Sequence, residues 1–430
     1  MSSISRVSSP AQRRQQEAFE RAALDEYQLT RFNDLLNTIL PANSFYANKL
    51  ASCPQQLTSL NELFELPFTV KDELLAEGAD HHLPANMTWP VDQYVRYHQT
   101  SGTHGKPLSV YDTAADWEWW TNCWQFVLDA AEITAEDRAM LAFSFGPFIG
   151  FWSAHDALVA RGALLIPGGG MNTLARLDLL RRTRATVLLC TPTYALHLVE
   201  VAEQHSINLA HTEVRQIVVA GEPGGSVPAT RGRIEAAWNA RLTDHSGASE
   251  VGPWGYGDPH GRGLYVLESE FVAEFFSVES GKPSGEGELS HLVLTSLGRH
   301  GMPIIRYRTG DLVRPTWKQS GRNRFVFLEG GVLGRTDDMM IVRGVNIFPS
   351  SLIQILHSFP EVVEYRITVR RRGEMDELVV EVEDHLQDTA RIAEEMRLRL
   401  GLKVDVRLAA AMSLPRFEGK GARFVDLRQG

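Results

Sequence analysis

The chain has 430 residues, 43% hydrophobic and 22% charged, which is too long for one compact core at the usual ~100–200 residues per domain and too apolar for extended disorder. Lys plus Arg total 43 against 53 Asp plus Glu, a net charge of -10 that argues against nucleic acid or an anionic membrane as the main partner. Cys53, Cys123 and Cys190 show no paired spacing, so neither a disulfide framework nor a Cys-based zinc site is expected, and a reducing cytoplasm fits best.

The opening MSSISRVSSPAQRRQQ has no apolar run that could serve as a signal peptide. Nor does any stretch reach the ~20 apolar residues needed to span a bilayer. Residues 1–15 are polar and expected to be mobile. From Gln16 apolar residues recur at helical spacing (Phe19, Ala22, Ala23, Leu29, Phe32, Leu35, Leu36, Ile39, Leu40), and Pro41 ends the run. KDELLAEG reads as a further helix with Thr69 as its N-cap. Asp80–His81–His82 lacks a spaced partner for a metal and reads as loop; no HExxH or CxxC motif occurs.

In the centre, short apolar runs at 163–167, 186–190 and 216–220 alternate with helical periodicity at 174–182, 194–204 and 230–240. Buried parallel strands joined by crossover helices are the natural reading. Between Leu264 and Phe327 the pattern becomes strand–turn–strand, as in a β-rich subdomain. Residues 338–430 carry short strands, dense charge and one amphipathic helix near 388–400, enough for a small α+β domain.

The segment Thr100–Ser101–Gly102–Thr103–His104–Gly105–Lys106–Pro107 gathers hydroxyls, two glycines and a lysine, a composition suited to an anion. It is not a Walker A loop, because Pro107 follows the lysine where Ser or Thr is required. As a string it resembles the phosphate-binding TSGTTGKP loop of the adenylate-forming enzymes, departing only at His104. The resemblance runs on through Ser59–Leu60, LPFTVKDEL (66–74), IIRYRTGDL (304–312), GRTDDMMIVRGVNIFPS (334–350) and LPRFEGKGARFVDLR (414–428). It is nearest to the phenylacetate–coenzyme A ligase branch of that superfamily.

That resemblance implies an α/β fold: a large N-terminal domain (1–336) with mixed and parallel sheets layered with helices plus a β-rich subdomain, and a small mobile α+β domain (337–430). It implies activation of a carboxylic acid by ATP as an acyl-adenylate and transfer to coenzyme A. Thr100, Ser101, Gly102, Thr103, Gly105 and Lys106 would hold the phosphates, and Glu250 would bind Mg2+. Asp311 would accept both ribose hydroxyls, Arg335 would complete the nucleotide grip, and Gly221–Glu222–Pro223 with Ser246 and Gly247 would line the adenine pocket. Lys420 would be the mobile catalytic lysine and Asp337 the hinge. A homodimer is expected on the same ground.

Ser246 stands where the family usually has Tyr, whose ring stacks on adenine; Trp254 or Tyr256 could replace it, or nucleotide binding could be weak or lost. Phe143, Phe145, Phe148, Trp152 and His155 lie where relatives build an aryl-acid pocket, although a packed core helix explains the same stripe. Two alternatives stay open: an amine or carrier-protein acceptor in place of coenzyme A, and a non-catalytic nucleotide- or acyl-binding homologue.

Overall fold

A strict alternation of side chains between two apolar cores organises the centre of the molecule. The computed structural model describes residues 7–75, 83–100, 107–143, 146–317, 321–336, 340–342, 345–347, 349–372, 375–415 and 423–428. The chain opens with α1 (Pro10–Glu17), α2 (Arg21–Ile39), α3 (Ser44–Lys49) and α4 (Lys71–Leu74), followed by a hairpin of β1 (Tyr94–Gln99) and β2 (Ser109–Thr113) that runs into α5 (Ala114–Ala130). Then β3 (Arg138–Leu141), α6 (Ile149–Arg161), β4 (Leu164–Pro167), α7 (Thr173–Thr183), β5 (Val187–Cys190), α8 (Pro192–Gln204), β6 (Gln216–Val219), α9 (Pro228–Trp238) and β7 (Arg241–Ala248) alternate. These parallel strands extend through β8 (Gly252–Gly257), β9 (Gly263–Val266), β13 and β14 (Phe327–Glu329) into one nine-stranded sheet, ordered β13-β14-β9-β8-β7-β6-β5-β3-β4, with β13 at Pro315–Thr316.

Ala139, Leu141, Val187, Leu189 and Val218 face a core shared with α5 and α6. Their neighbours Met140, Leu188, Cys190, Ile217 and Val219 face a second core shared with α7, α8 and α9. Covering both faces is why β5 and β6 are buried throughout and read as unbroken apolar runs. Each such Val or Leu contributes roughly 1.5–3 kcal/mol on burial. α5 starts with a capping box, Thr113 and Asp116, and carries Trp117, Trp120 and Trp124 into the first core.

A second sheet, β10 (Phe271–Ser277), β11 (Ser290–Ser296), β12 (Tyr307–Val313) and β15 (Gly334–Arg335), is antiparallel throughout. The C-terminal part holds a two-stranded ladder, β16 (Met340–Val342) with β17 (Val345–Ile347), then α10 (Pro349–His357), β18 (Val362–Arg372), β19 (Met375–Asp384), α11 (Thr389–Leu400), β20 (Asp405–Leu408) and β21 (Phe424–Asp426). Its four-stranded sheet, β20-β19-β18-β21, and both helices share a separate core running from Val342 to Phe424.

The expected α/β architecture is present, with three local corrections. Ser9 caps a helix that begins at Pro10, within the stretch expected to be mobile, and the run from Gln16 is broken at 18–20. Thr69 does not cap α4, because its hydroxyl donates to Ile305 O. The C-terminal part has a second helix, α10, which begins at Pro349 in the last two residues of the motif 334–350. The three cysteines are unpaired. Among the described residues no helix is long and apolar enough to cross a membrane.

The two parts meet where α9 faces the end of α10. Thr230 Oγ1 lies 2.6 Å from His357 Nδ1, and Tyr365 Oη lies 3.2 Å from its Nε2. Burial, with Arg233 and Arg423 nearby, pushes His357 down to about 3 from its ordinary 6.5. A depressed histidine supports the fold above its unfolded value and withdraws that support as pH falls. Between pH 6.5 and 5 this group should therefore cost the wild type about 2 kcal/mol that His357→Gln does not lose. Urea unfolding of both proteins at the two pH values checks this; equal losses would contradict it.

Candidate functional site

Strand order places a crevice. β3 leads through α6 to β4 on one side, and the chain then returns to β5 on the other side of β3. Loops after β3 and β5 diverge at such a switch point, and ligands of open α/β sheets bind there, beyond the carboxyl ends of the strands. The loop after β3 carries Phe143 and Phe148; Thr191 joins β5 to the first turn of α8 with Thr193, and the loop after β6 carries Gly221–Glu222–Pro223.

The β1–β2 hairpin brings Thr100, the first residue of the glycine-rich segment, beside the loop after β3. Thr100 closes the hairpin neck: its N–H donates to Leu108 O at 3.0 Å and its Oγ1 accepts from Leu108 N at 2.9 Å. Gln99 N–H donates to Pro147 O at 2.8 Å, tying the hairpin to the loop after β3. Ser101, Gly102, Thr103, His104, Gly105 and Lys106 lie outside the described residues, as do Phe145, Asp337, Lys420 and Asp80–His81–His82.

β7 ends in the crevice with Ser246, Gly247 and, just beyond the strand, Glu250. Tyr307 Oη donates to Glu250 Oε1 at 2.9 Å, and Arg299 Nη1 donates to the backbone carbonyls of Ser249 and Glu250, each at 2.9 Å. Tyr307 begins β12, and Asp311 sits four residues along it, on the order of 13 Å away at a strand's rise. Asp311 is paired across the ladder with Arg335, whose Nη1 donates to Asp311 Oδ1 at 3.2 Å. Arg308 is instead stacked 4.2 Å from the Phe68 ring centroid. One strand thus presents a carboxylate site at each end.

Gly221 follows β6 with φ +93°, a conformation that favours glycine. Glu222 Oε1 accepts from Thr193 N at 2.8 Å and from Thr193 Oγ1 at 2.5 Å, at the N-terminus of α8, which favours a carboxylate. Glu222 is therefore held against the start of α8, and its neighbours Gly221 and Pro223 are exposed.

The ring missing at Ser246 is not supplied by Trp254 or Tyr256. Ser246 pairs with Gly255, whereas His245 pairs with Tyr256, so the two aromatics of β8 project to the opposite face. There Tyr256 packs 5.9 Å from Phe126 and donates to Glu17, and Trp254 is buried in the first core. Ser246→Tyr should then tighten ATP binding about 5- to 150-fold, the equivalent of ~1–3 kcal/mol of base stacking. Calorimetric titration with ATP checks this, and an unchanged dissociation constant would remove Ser246 from the adenine site.

Part of the aromatic stripe is core. Phe151 is buried in the core, while Phe143 and Trp152 are half-buried at its edge and Phe148 is 43% exposed. Trp152 Nε1 donates to Gly146 O at 2.8 Å, and His155 Nδ1 lies 2.7 Å from Asp156 Oδ1. Phe143 and Trp152 thus pack at the edge of the first core, and Phe148 is the most exposed of the three.

Among the described residues no cluster of three or more His, Cys, Asp or Glu could hold a metal. Glu250 is half-buried, with one oxygen already fixed by Tyr307. A single hard carboxylate of this kind suits Mg2+ shared with nucleotide phosphates, and does not suit an all-protein site.

A family model described as the AMP-binding enzyme C-terminal domain matches residues 344–428. A phenylacetate–coenzyme A ligase of Escherichia coli is 32% identical over 432 residues, 95% of this chain and 97% of its own length. The chain belongs to the phenylacetate–coenzyme A ligase family of adenylate-forming enzymes.

The backbone follows a 2-hydroxyisobutyryl-CoA ligase crystallised in the postadenylation state with R3-HIB-AMP, at TM-score 0.91, 26% identity and coverage of 100% of this chain and 96% of the other. Against the same ligase with 2-HIB-AMP and CoA in the thioesterification state the TM-score is 0.74, at 26% identity and with coverage of 100% and 96%. The overall arrangement is closer to the former. In this family member, Tyr307, Arg299 and Asp112 stand around Glu250 without having been singled out from sequence. No local pattern marks them, because Asp112 and Arg299 meet only across the fold.

Proposed function

We propose that the chain is an ATP-dependent carboxylic acid–CoA ligase acting through an acyl-adenylate, with an aryl or arylacetic acid as substrate. A carboxylate oxygen of the acid attacks the α-phosphorus of ATP, and the bond to pyrophosphate breaks. The sulfur of coenzyme A then attacks the acyl carbon, loses its proton, and AMP departs. Nucleotidyl transfer asks the protein mainly for positioning and charge neutralisation.

Asp311 offers a vicinal diol two acceptor oxygens and is held for that by Arg335. The segment from Thr100 to Lys106 takes the β- and γ-phosphates. Mg2+ held by Glu250 and those phosphates would neutralise charge on the departing pyrophosphate. Lys420, carried by the small domain that begins at Asp337, reaches the acid and the α-phosphate, and the swing of that domain about Asp337 then admits the thiol. Phe143, Phe145, Phe148, Trp152 and His155 border the acid. An acidic chain with unpaired cysteines suits the cytoplasm.

The observation that carries this reading is β12, with Tyr307 fixing Glu250 at one end and Asp311 paired to Arg335 at the other. Incubation with ATP, Mg2+ and coenzyme A over a panel of phenylacetate, benzoate and 2-hydroxyisobutyrate tests it, with AMP and acyl-thioester read by mass spectrometry. Thioester formed from the aromatic acids is expected. Thioester from 2-hydroxyisobutyrate alone would replace the aryl assignment, and silence across a wider panel would replace the ligase assignment.

A further inference from the structure

We propose that Arg299, paired with Asp112, is a positioning residue that holds Glu250 in register with the phosphate-binding hairpin; this rests on the reading of Glu250 and of residues 100–106 as the triphosphate site. Asp112 lies on β2, the strand that leaves the glycine-rich segment. Arg299 lies in the turn between β11 and β12, 187 residues away in sequence. Both are 0% exposed.

The guanidinium divides its donors between two targets. Nε lies 2.8 Å and Nη2 2.7 Å from Asp112 Oδ1, while Nη1 donates to Ser249 O and Glu250 O, each at 2.9 Å. The turn itself is pinned to the same hairpin: His300 N and Gly301 N donate to Asp116 Oδ1 at 2.8 and 3.1 Å. Asp116 is the box partner of Thr113, the last residue of β2. A Cβ at Gly301 would sit 2.3 Å from Asp116 Oδ2, so this approach requires glycine. His98, on β1, completes the wall, its Nδ1 4.0 Å from Asp112 Oδ2 and its ring stacked on Trp117.

Stability alone gives little reason for such a pair, because well-packed apolar residues in place of a buried ion pair are often neutral or better. What an apolar replacement cannot do is grip two successive backbone carbonyls while anchored to another strand. The forked geometry of arginine does so, and lysine, a single point donor on a flexible stem, does not. With Tyr307 fixing one carboxylate oxygen and Arg299 fixing the backbone beneath it, the place of Glu250 is set from two sides.

Arg299→Lys and, as a second variant closer in shape, Asp112→Asn test this by calorimetric titration with Mg2+ and either α,β-methylene-ATP or AMP. AMP lacks the β- and γ-phosphates. In at least one folded variant the ATP analogue should bind about 10-fold more weakly while AMP stays within about twofold, a split that general loosening would not produce. Equal weakening of both ligands, or of neither, overturns the role of Arg299. Glu250→Gln is the internal control. If it shifts the analogue-to-AMP ratio and the other two variants do not, only the Arg299 assignment fails. If Glu250→Gln leaves the ratio unchanged, the underlying reading of Glu250 fails and this inference falls with it.

Discussion

Replacing Lys420 by alanine is expected to slow acid-dependent exchange of pyrophosphate into ATP by about 10²–10³-fold, the usual cost of deleting one donor aimed at developing charge. Conversion of added acyl-adenylate to thioester should change only a few-fold. The split follows from the chemistry of the two steps. Negative charge concentrates on the acid oxygen and α-phosphate during adenylation, where a cation from the small domain is needed. On the proposed swing, the charge moves to the departing AMP after that domain has turned, and a lysine carried away with it would have no part. Rapid-quench measurement of the two half-reactions checks the split; equal loss in both would remove Lys420 from the adenylation site and point instead to misfolding or to a shared binding role.

The largest stability effect should come from Arg306. It is buried with φ +48°, and its guanidinium meets Glu274, Nη2 to Oε1 at 2.6 Å, while Nη1 donates to the carbonyls of Phe64 and Leu66. Its Cζ lies 4.2 Å from the centroid of the Phe68 ring. This one side chain therefore joins the segment 64–69 to the sheet that carries Asp311. Burial lifts Glu274 above the usual carboxylate range and Arg306 draws it back. Arg306→Met leaves Glu274 buried without a partner and should cost about 3–5 kcal/mol. Removing both charges in Arg306→Met/Glu274→Leu should restore much of that loss, because the desolvation penalty disappears with the pair. Urea unfolding of the single and double variants measures it. A double variant as unstable as the single would show that the carbonyl contacts, not the ion pair, hold the segment.

The sequence was most informative where local rules and tertiary burial agree. TVLLC and QIVVA read as buried strands, and the structure places strands at Val187–Cys190 and Gln216–Val219, with both faces covered. Boundaries drifted where capping competes with periodicity: Ser9 caps α1 ahead of the first apolar residues, and Thr69 spends its hydroxyl on Ile305 O across the fold. The charged candidates Glu250, Asp311 and Arg335 were named from segments recognisable as strings. What holds them was not. Tyr307 reaches Glu250 across 57 residues and Arg299 reaches Asp112 across 187, and no local pattern encodes such meetings. Of the possibilities left open at Ser246, replacement by Trp254 or Tyr256 falls for a simple reason of parity, since both flank Gly255, the partner of Ser246, and must face the other way.

Diffraction from crystals soaked with α,β-methylene-ATP and Mg2+ tests most directly whether a nucleoside triphosphate occupies the crevice. The expected map shows the ribose hydroxyls within about 3 Å of the Asp311 carboxylate and the β- and γ-phosphates against the segment following Thr100. Density for the analogue elsewhere, or none at saturating concentration in a freely accessible crevice, would contradict it.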